Sequence, residues 1–286
     1  LNGSPFVIRD PDRIYLEEYF QRRPALNAGL AAPLTAADAT DTANDNLIIA
    51  RAIANHDFEL LGTNHSVDDI SFGAAAGTPG GLKLELDGAN GDALIILPHL
   101  DTNMSLWGVA DQWGSENSVQ WECAITTGTD IDLQTIYAGL KVTNTITGET
   151  DANQAYFVYG STDDDWATGG LADNTLLHFI FSTGGTDYVS ALPITVAAST
   201  NYRLGISFDS DRTCSAWVNG VQYSVTATSG DVGSGTSHGT AVTAGTLRSA
   251  AMANDISLVP YVGIMGTGAA RHMFLHYEKM SRILFE

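Results

Sequence analysis

Positive charge is what this sequence has least of. Its 286 residues carry 13 Lys and Arg against 33 Asp and Glu, a formal net charge of −20, and lysine occurs only as Lys83, Lys141 and Lys279. Nucleic acids are held largely by basic side chains that displace counterions. A surface this acidic repels phosphate backbones and anionic lipid alike, so neither nucleic acid nor membrane is expected as a partner. No apolar run approaches the 18 or so residues that a spanning helix needs. Arg9 to Arg23 is charged and aromatic where a secretory signal would be continuously apolar, so no signal peptide is read there. Proline is sparse, at 8 residues, and there are two cysteines, Cys123 and Cys214. Both lie in apolar segments, which favours buried free thiols. A bridge would need their Cα atoms within about 7 Å, which sequence does not reveal.

What is present is enough to fold. Hydrophobic residues make up 44% of the chain, which excludes general disorder. The charge is uneven: residues 1–23 balance four Arg against four acids, residues 271–286 hold three bases and two acids, and residues 24–270 carry 27 acids against 6 bases. Strong acidity with so few Lys also fits a surface kept soluble in salty water.

Residues 1–46 differ from the rest. In DRIYLEEYFQRR, Ile14, Tyr15, Tyr19 and Phe20 fall at near-helical spacing before Pro24, so a short amphipathic helix is expected over 12–23. Residues 25–46 are small and Ala-rich and read as a linker. The segment is either an arm that docks on a neighbour or a first element packed on its own domain.

From residue 47 the period is two. Leu82, Leu84 and Leu86 alternate with Lys83, Glu85 and Asp87; Val119, Trp121, Cys123 and Ile125 alternate with Gln120, Glu122 and Ala124; Tyr202, Leu204, Ile206 and Phe208 follow suit. Such alternation marks half-buried strands. Similar runs cover 56–61, 93–97, 134–143, 154–160, 175–182, 213–219, 221–226, 257–265 and 272–285. Turn dipeptides separate them, with Asn219-Gly220 the strongest hairpin signal because a tight turn needs positive φ at both positions. About a dozen strands without helices imply two sheets packed face to face. The fold class expected is all-β: a two-sheet antiparallel jelly-roll sandwich over 47–286, with an N-terminal helical or extended arm over 1–46.

Motifs for chemistry are weak. Gly235-Thr236-Ser237-His238-Gly239 matches a nucleophile elbow, but its flanks, within the Gly/Ser/Thr-rich loop 227–248, are neither strand nor helix. His272 and His276 are about 13 Å apart on a strand, too far to share zinc. Asp163-Asp164-Asp165, Asp130/Asp132 and Asp209/Asp211 could offer oxygens to Ca²⁺, yet none completes an EF-hand loop, and solvated acidic loops are the plainer reading. Gly266-Thr267-Gly268-Ala269-Ala270-Arg271 has Arg where the third glycine of a phosphate loop belongs. No cofactor and no metal is expected.

The run Thr200-Asn201-Tyr202-Arg203-Leu204-Gly205-Ile206, followed by Cys214 to Val221 (CSAWVNGV), resembles a strand-and-hairpin block of concanavalin-like jelly rolls of the lectin and glucanase type. Leu258 to Ile264 (LVPYVGI), then Phe274-Leu275-His276-Tyr277, is similar to the last two strands of such domains in structural proteins of tailed-phage particles. The resemblance covers residues 56–286. It implies a sandwich used for display, glycan contact or cementing of a particle, and hence a non-enzymatic capsid decoration or cement protein at the virion surface. Its partner would be the major capsid or another virion protein, and it would form homo-oligomers, for which a trimer is one form.

Arg and Tyr carry much of the binding energy at interfaces. The anchor expected is therefore Arg9, Arg13, Tyr15, Tyr19, Phe20, Arg22 and Arg23. The alternative is a carbohydrate-binding adhesin, which would use Trp107, Trp113 and Trp166. A glucanase is disfavoured. Its strand needs carboxylates at i, i+2 and i+4, and from Glu116 those positions are Ser118 and Gln120.

Overall fold

Strict alternation lets each strand give one row of side chains to a shared interior and the other to the outside. In the computed structural model this pattern builds two stacked antiparallel sheets. The structure describes residues 12–20, 25–26, 47–50, 56–63, 70–72, 80–98, 115–143, 151–160, 171, 174–223 and 251–283.

The described strands begin with β1 (Arg13–Tyr19), β2 (Ala25–Leu26), β3 (Leu47–Ala50), β4 (His56–Thr63), β5 (Ile70–Phe72), β6 (Leu82–Asp87) and β7 (Asn90–Pro98). They continue with β8 (Gln120–Thr127), β9 (Gln134–Lys141), β10 (Gln154–Gly160), β11 (Leu176–Thr183) and β12 (Thr186–Thr195). The last are β13 (Asn201–Phe208), β14 (Cys214–Val218), β15 (Val221–Tyr223), β16 (Val259–Thr267) and β17 (Ala270–Ile283). Sheet A runs β15-β14-β13-β8-β17-β6-β5, with β1 also paired to β17. Sheet B runs β12-β11-β10-β9-β16-β7-β4-β3-β2. The all-β sandwich read from the period is what forms.

Leu84, Trp121, Ile125, Leu204, Ile206 and Met273 of sheet A meet Leu60, Leu94, Ile96, Ile136, Phe157 and Phe179 of sheet B in one apolar core. Each such side chain contributes about 1.5–3 kcal/mol by leaving water. Sheet B is also covered on its outer face, where Leu61, Ile95, Tyr137, Tyr156, Val158, Ile180 and Tyr261 form a second buried cluster. This two-sided burial explains why every residue of β9 and β10 is buried.

Turn chemistry fixes the connections. Asn219 and Gly220 have φ of 51° and 82°, as the β14–β15 hairpin requires. At the corner where the chain leaves sheet A for sheet B, the Asp92 carboxylate accepts the N–H groups of Gly88 and Ala89 at 2.8 and 2.7 Å.

The helix expected over 12–23 does not form. Arg13–Tyr19 is a strand, antiparallel to β17 from Arg13↔Ile283 to Tyr19↔Tyr277. Its apolar residues fit both periods, and β17 decides between them. That strand is 14 residues long and outruns β6, which pairs only with Ala270 to Leu275. The N–H and C=O groups beyond that point need a partner, and β1 supplies it.

Between Leu275 and Tyr277 the register of β17 against β8 shifts, a bulge centred on His276. Before it Met273 and Leu275 face the core, and after it Met280 does. The extra residue has exchanged the two faces of the strand.

Two outcomes follow. Gly139 lies opposite Tyr156 and Tyr261, and a Cβ there would sit 2.5 Å from Tyr156 Cα. Gly139→Ala should therefore destabilise by about 1–3 kcal/mol in chemical denaturation, as overpacking does. Cys123 and Cys214 are both free and buried, and burial, with the nearby Glu278 and Glu122, pushes the Cys123 thiol up. Neither should react with a thiol reagent in the native protein, and both should react once it is unfolded.

Candidate functional site

The outer face of sheet A is where outward side chains remain polar. On β8 the outward positions are Gln120, Glu122, Ala124 and Thr126. Register places Glu122 beside Lys279 of β17, and Ala124 between Tyr277 of β17 and Arg203 of β13. Lys279 in turn lies beside Glu17 of β1, and Tyr277 beside Tyr19. The small Ala124 leaves room for Tyr277 and Arg203 to lean toward Glu122.

They do so. Tyr277 O–H donates to Glu122 Oε1 at 2.6 Å, and Arg203 Nε stands 3.7 Å from Glu122 Oε2. Burial and this hydrogen bond push the Tyr277 hydroxyl far up from the ordinary phenol value, so it remains the donor at every working pH. Glu122 is only 4% exposed. Lys279 Nζ lies over two rings, 4.8 Å from that of Tyr277 and 5.1 Å from that of Tyr19, which are 5.9 Å apart. Tyr19, 43% exposed, closes the row at the water side. A cation held between aromatic faces and a carboxylate held by a phenol form a rigid polar surface.

Further along, the bulge residue His276 is bonded on both ring nitrogens, with Gly80 O 2.6 Å from Nδ1 and Thr126 Oγ1 2.6 Å from Nε2. A carbonyl only accepts, so Nδ1 carries the proton. Thr126 also bonds Asn201. At the other edge Trp217, opposite Gly205 on β13, donates from Nε1 to Ser207 Oγ at 2.9 Å.

Of the anchor expected from sequence, Arg13 donates from both terminal nitrogens to Ser118 O at 3.0 and 2.7 Å. Phe20 is buried, its ring edge-on to Phe58 at 5.4 Å. Tyr15 lies beside Ser281, and Tyr19 belongs to the outward row. Arg9, Arg22, Arg23, Trp107, Trp113 and Trp166 lie outside the described residues, as do Asp163 to Asp165, the segment 235–239 and the loop 227–248.

Asp130 pairs with Arg271 at 3.0 Å. Asp209 accepts the N–H groups of Asp211 and Thr213 at 2.9 and 2.8 Å. Both are engaged in their own turns. Among the described residues no three His, Cys, Asp or Glu side chains are placed to hold a metal ion, and no helix is long and apolar enough to cross a membrane. His272 packs edge-on to Phe274 at 5.5 Å, away from the bonds of His276.

Sequence reasoning missed Tyr277, Lys279, Arg203 and Trp217 as site residues. The alternation Tyr277, Lys279, Ser281 was a signal that this half of β17 has a polar face. Which face it is depends on the bulge.

No family model matches the sequence, and no curated protein is detectably similar to it. Solved structures do match in fold. A protein of unknown function from Shewanella oneidensis MR-1 superposes with a TM-score of 0.50 at 11% identity, covering 95% of this chain and 87% of that one. A Bacteroides ovatus mixed-linkage-glucan GH16 protein gives 0.43 at 8% identity, covering 75% and 86%. Winged bean acidic lectin gives 0.39 at 12% identity, covering 80% and 94%. At these identities the likeness is one of fold.

Removing the phenol hydroxyl tests the site's rigidity. Tyr277→Phe leaves a buried carboxylate short of a donor and should cost about 1.5–3 kcal/mol in denaturant titration. Tyr277→Phe made in a Glu122→Gln background should cost less, because the hydrogen bond to a charged acceptor is already gone.

Proposed function

We propose that this protein is a non-enzymatic structural protein of a virus particle, a capsid decoration or cement protein that works by contact. The observation that carries the contact half is the outward row of β8. Gln120, Glu122, Ala124 and Thr126 include a single carboxylate, and it is held by Tyr277. Hydrolysis of glycosides with retention needs two carboxyl groups about 5–5.5 Å apart, one of them free to give a proton. The acid across Lys279 from it, Glu17 of β1, accepts from Tyr19 at 3.2 Å, so the one carboxylate that β8 itself offers, immobilised by a phenol, supports recognition instead.

The particle half rests on the resemblance of residues 258–277 to the last two strands of concanavalin-like domains in tailed-phage structural proteins. The strongly acidic body supports it by keeping crowded copies apart in solution. In this reading the major capsid protein or another virion protein is the partner, copies associate as homo-oligomers, and residues 1–46 with the sandwich edges make the contact. A standard interface of about 1,200–2,000 Å² would brace the shell. Fractionation of intact particles should recover the protein at fixed stoichiometry, and removal of residues 1–46 should lower its occupancy. Full occupancy without them would overturn the anchor.

One observation favours a second reading, a carbohydrate-binding adhesin. Tyr19 and Tyr277 flank Lys279 on the outward face, with Gln120 and Ser281 alongside, so stacking faces and hydrogen-bonding groups stand together. A glycan array run with and without Ca²⁺ should give a signal that Tyr19→Ala abolishes if this reading holds.

A further inference from the structure

We propose that β1 is a proton-controlled clasp: it stays paired on β17 while Glu278 is uncharged, and it is released when that carboxyl ionises. The inference is independent of the particle reading and rests on where the bulge at His276 sends the side chains that follow it.

Because the bulge exchanges the faces of β17, Glu278 points into the sandwich. It is fully buried. Trp121 Nε1 donates to its Oε1 at 2.8 Å, and Oε2 has no hydrogen-bond partner. A buried carboxylate with one donor is poorly compensated. Among the described residues, the immediate neighbours on that face supply no cation. From β8 it meets Cys123, directly opposite, and Trp121; from β17 it has Met280; from β1 it has Glu18, directly opposite. Arg282 is on the same face but four residues further along β17. Glu122, Tyr277, Lys279 and Arg203 belong to the outer face, behind the backbone. Among the described core-facing residues of sheet B, Asp92 is the charged one, and it pairs with Gly266, as does Gln134. They sit at the corner where β17 begins, eight residues before Glu278.

What seals this carboxyl from water is the pairing geometry. Among the described strands, β17 is the next one in from the edge at Glu278, with β8 on one side and β1 on the other. The β1 side can open without dismantling the sheet, for β1 is held by its pairing with β17, the Arg13 bond to Ser118, and the packing of Ile14, Leu16 and Phe20 on the core. Letting β1 go hydrates Glu278, and burial is what holds its carboxyl above the ordinary value. Undocking therefore favours the charged form, and charging favours undocking.

The sign follows from the direction of the shift. Burial raises Glu278 from 4.5 to about 8 in the docked state, Trp121 opposing, while a hydrated carboxyl keeps its ordinary value. The docked form holds its proton longer, so docking is strongest below pH 4.5 and weakens as pH rises toward 8. The weakening is at most about tenfold per pH unit for one proton, and it levels off above that.

Hydrogen–deuterium exchange on the full chain reads this directly. Protection factors of the β1 amides, corrected for intrinsic exchange, should fall between pH 5 and 8 by up to about tenfold per unit, while those of β13 hold. Glu278→Gln keeps the acceptor for Trp121 and cannot ionise, so its β1 protection should stay flat over the same range. Wild-type β1 protection that is unchanged with pH would overturn the clasp, even if the variant fails to fold. So would an equal fall in Glu278→Gln, or loss of protection in β13 in step with β1, which would mean global unfolding.

Discussion

The single extra residue at His276 governs the two features that matter most. Without the bulge, β17 would continue with Tyr277 and Lys279 in the core and Glu278 outside. With it, the phenol and the ammonium face outward beside Glu122 and Tyr19, and the carboxyl is committed to the interior. The bulge is itself held, its imidazole bonded to Gly80 and Thr126 and its carbonyl accepting the N–H of Phe20 at 3.0 Å. That last bond also ends β1 and turns Phe20 into the core against Phe58. One register shift thus sets the outer surface of sheet A, the seat of the N-terminal strand and the burial of an acid.

Most strands were legible because alternation reports burial directly. Gln154–Gly160 forms as read, and the Asn219-Gly220 turn has the backbone that its residues demand. The misreading of residues 12–23 has a physical source. Ile14, Leu16 and Phe20 alternate as a strand requires, while Ile14, Tyr15, Tyr19 and Phe20 satisfy a helical stripe. Nothing local separates the two, and only the unpaired half of β17, more than 250 residues away in the chain, does so.

The site was harder to read for a related reason. A bulge has no composition of its own: Phe274-Leu275-His276-Tyr277 reads as plain strand, and the inversion after it shows only in pairing with Ile125 and Ala124. Nothing local in the sequence therefore marks Glu278 as buried. Sheet B's outer cluster was invisible likewise, since an apolar run such as Ala155–Tyr159 states that a strand is buried without stating that both of its faces are.

Contact rather than turnover is the central claim, and it rests on Glu122 being the one carboxylate on the outward row of β8, fixed in place by a phenol. The most direct measurement is reducing-sugar release from a panel of β-glucans by the folded protein, with Glu122→Gln in parallel. The account predicts no release above the protein-free blank for either. Steady release by the wild type that disappears in Glu122→Gln would contradict it.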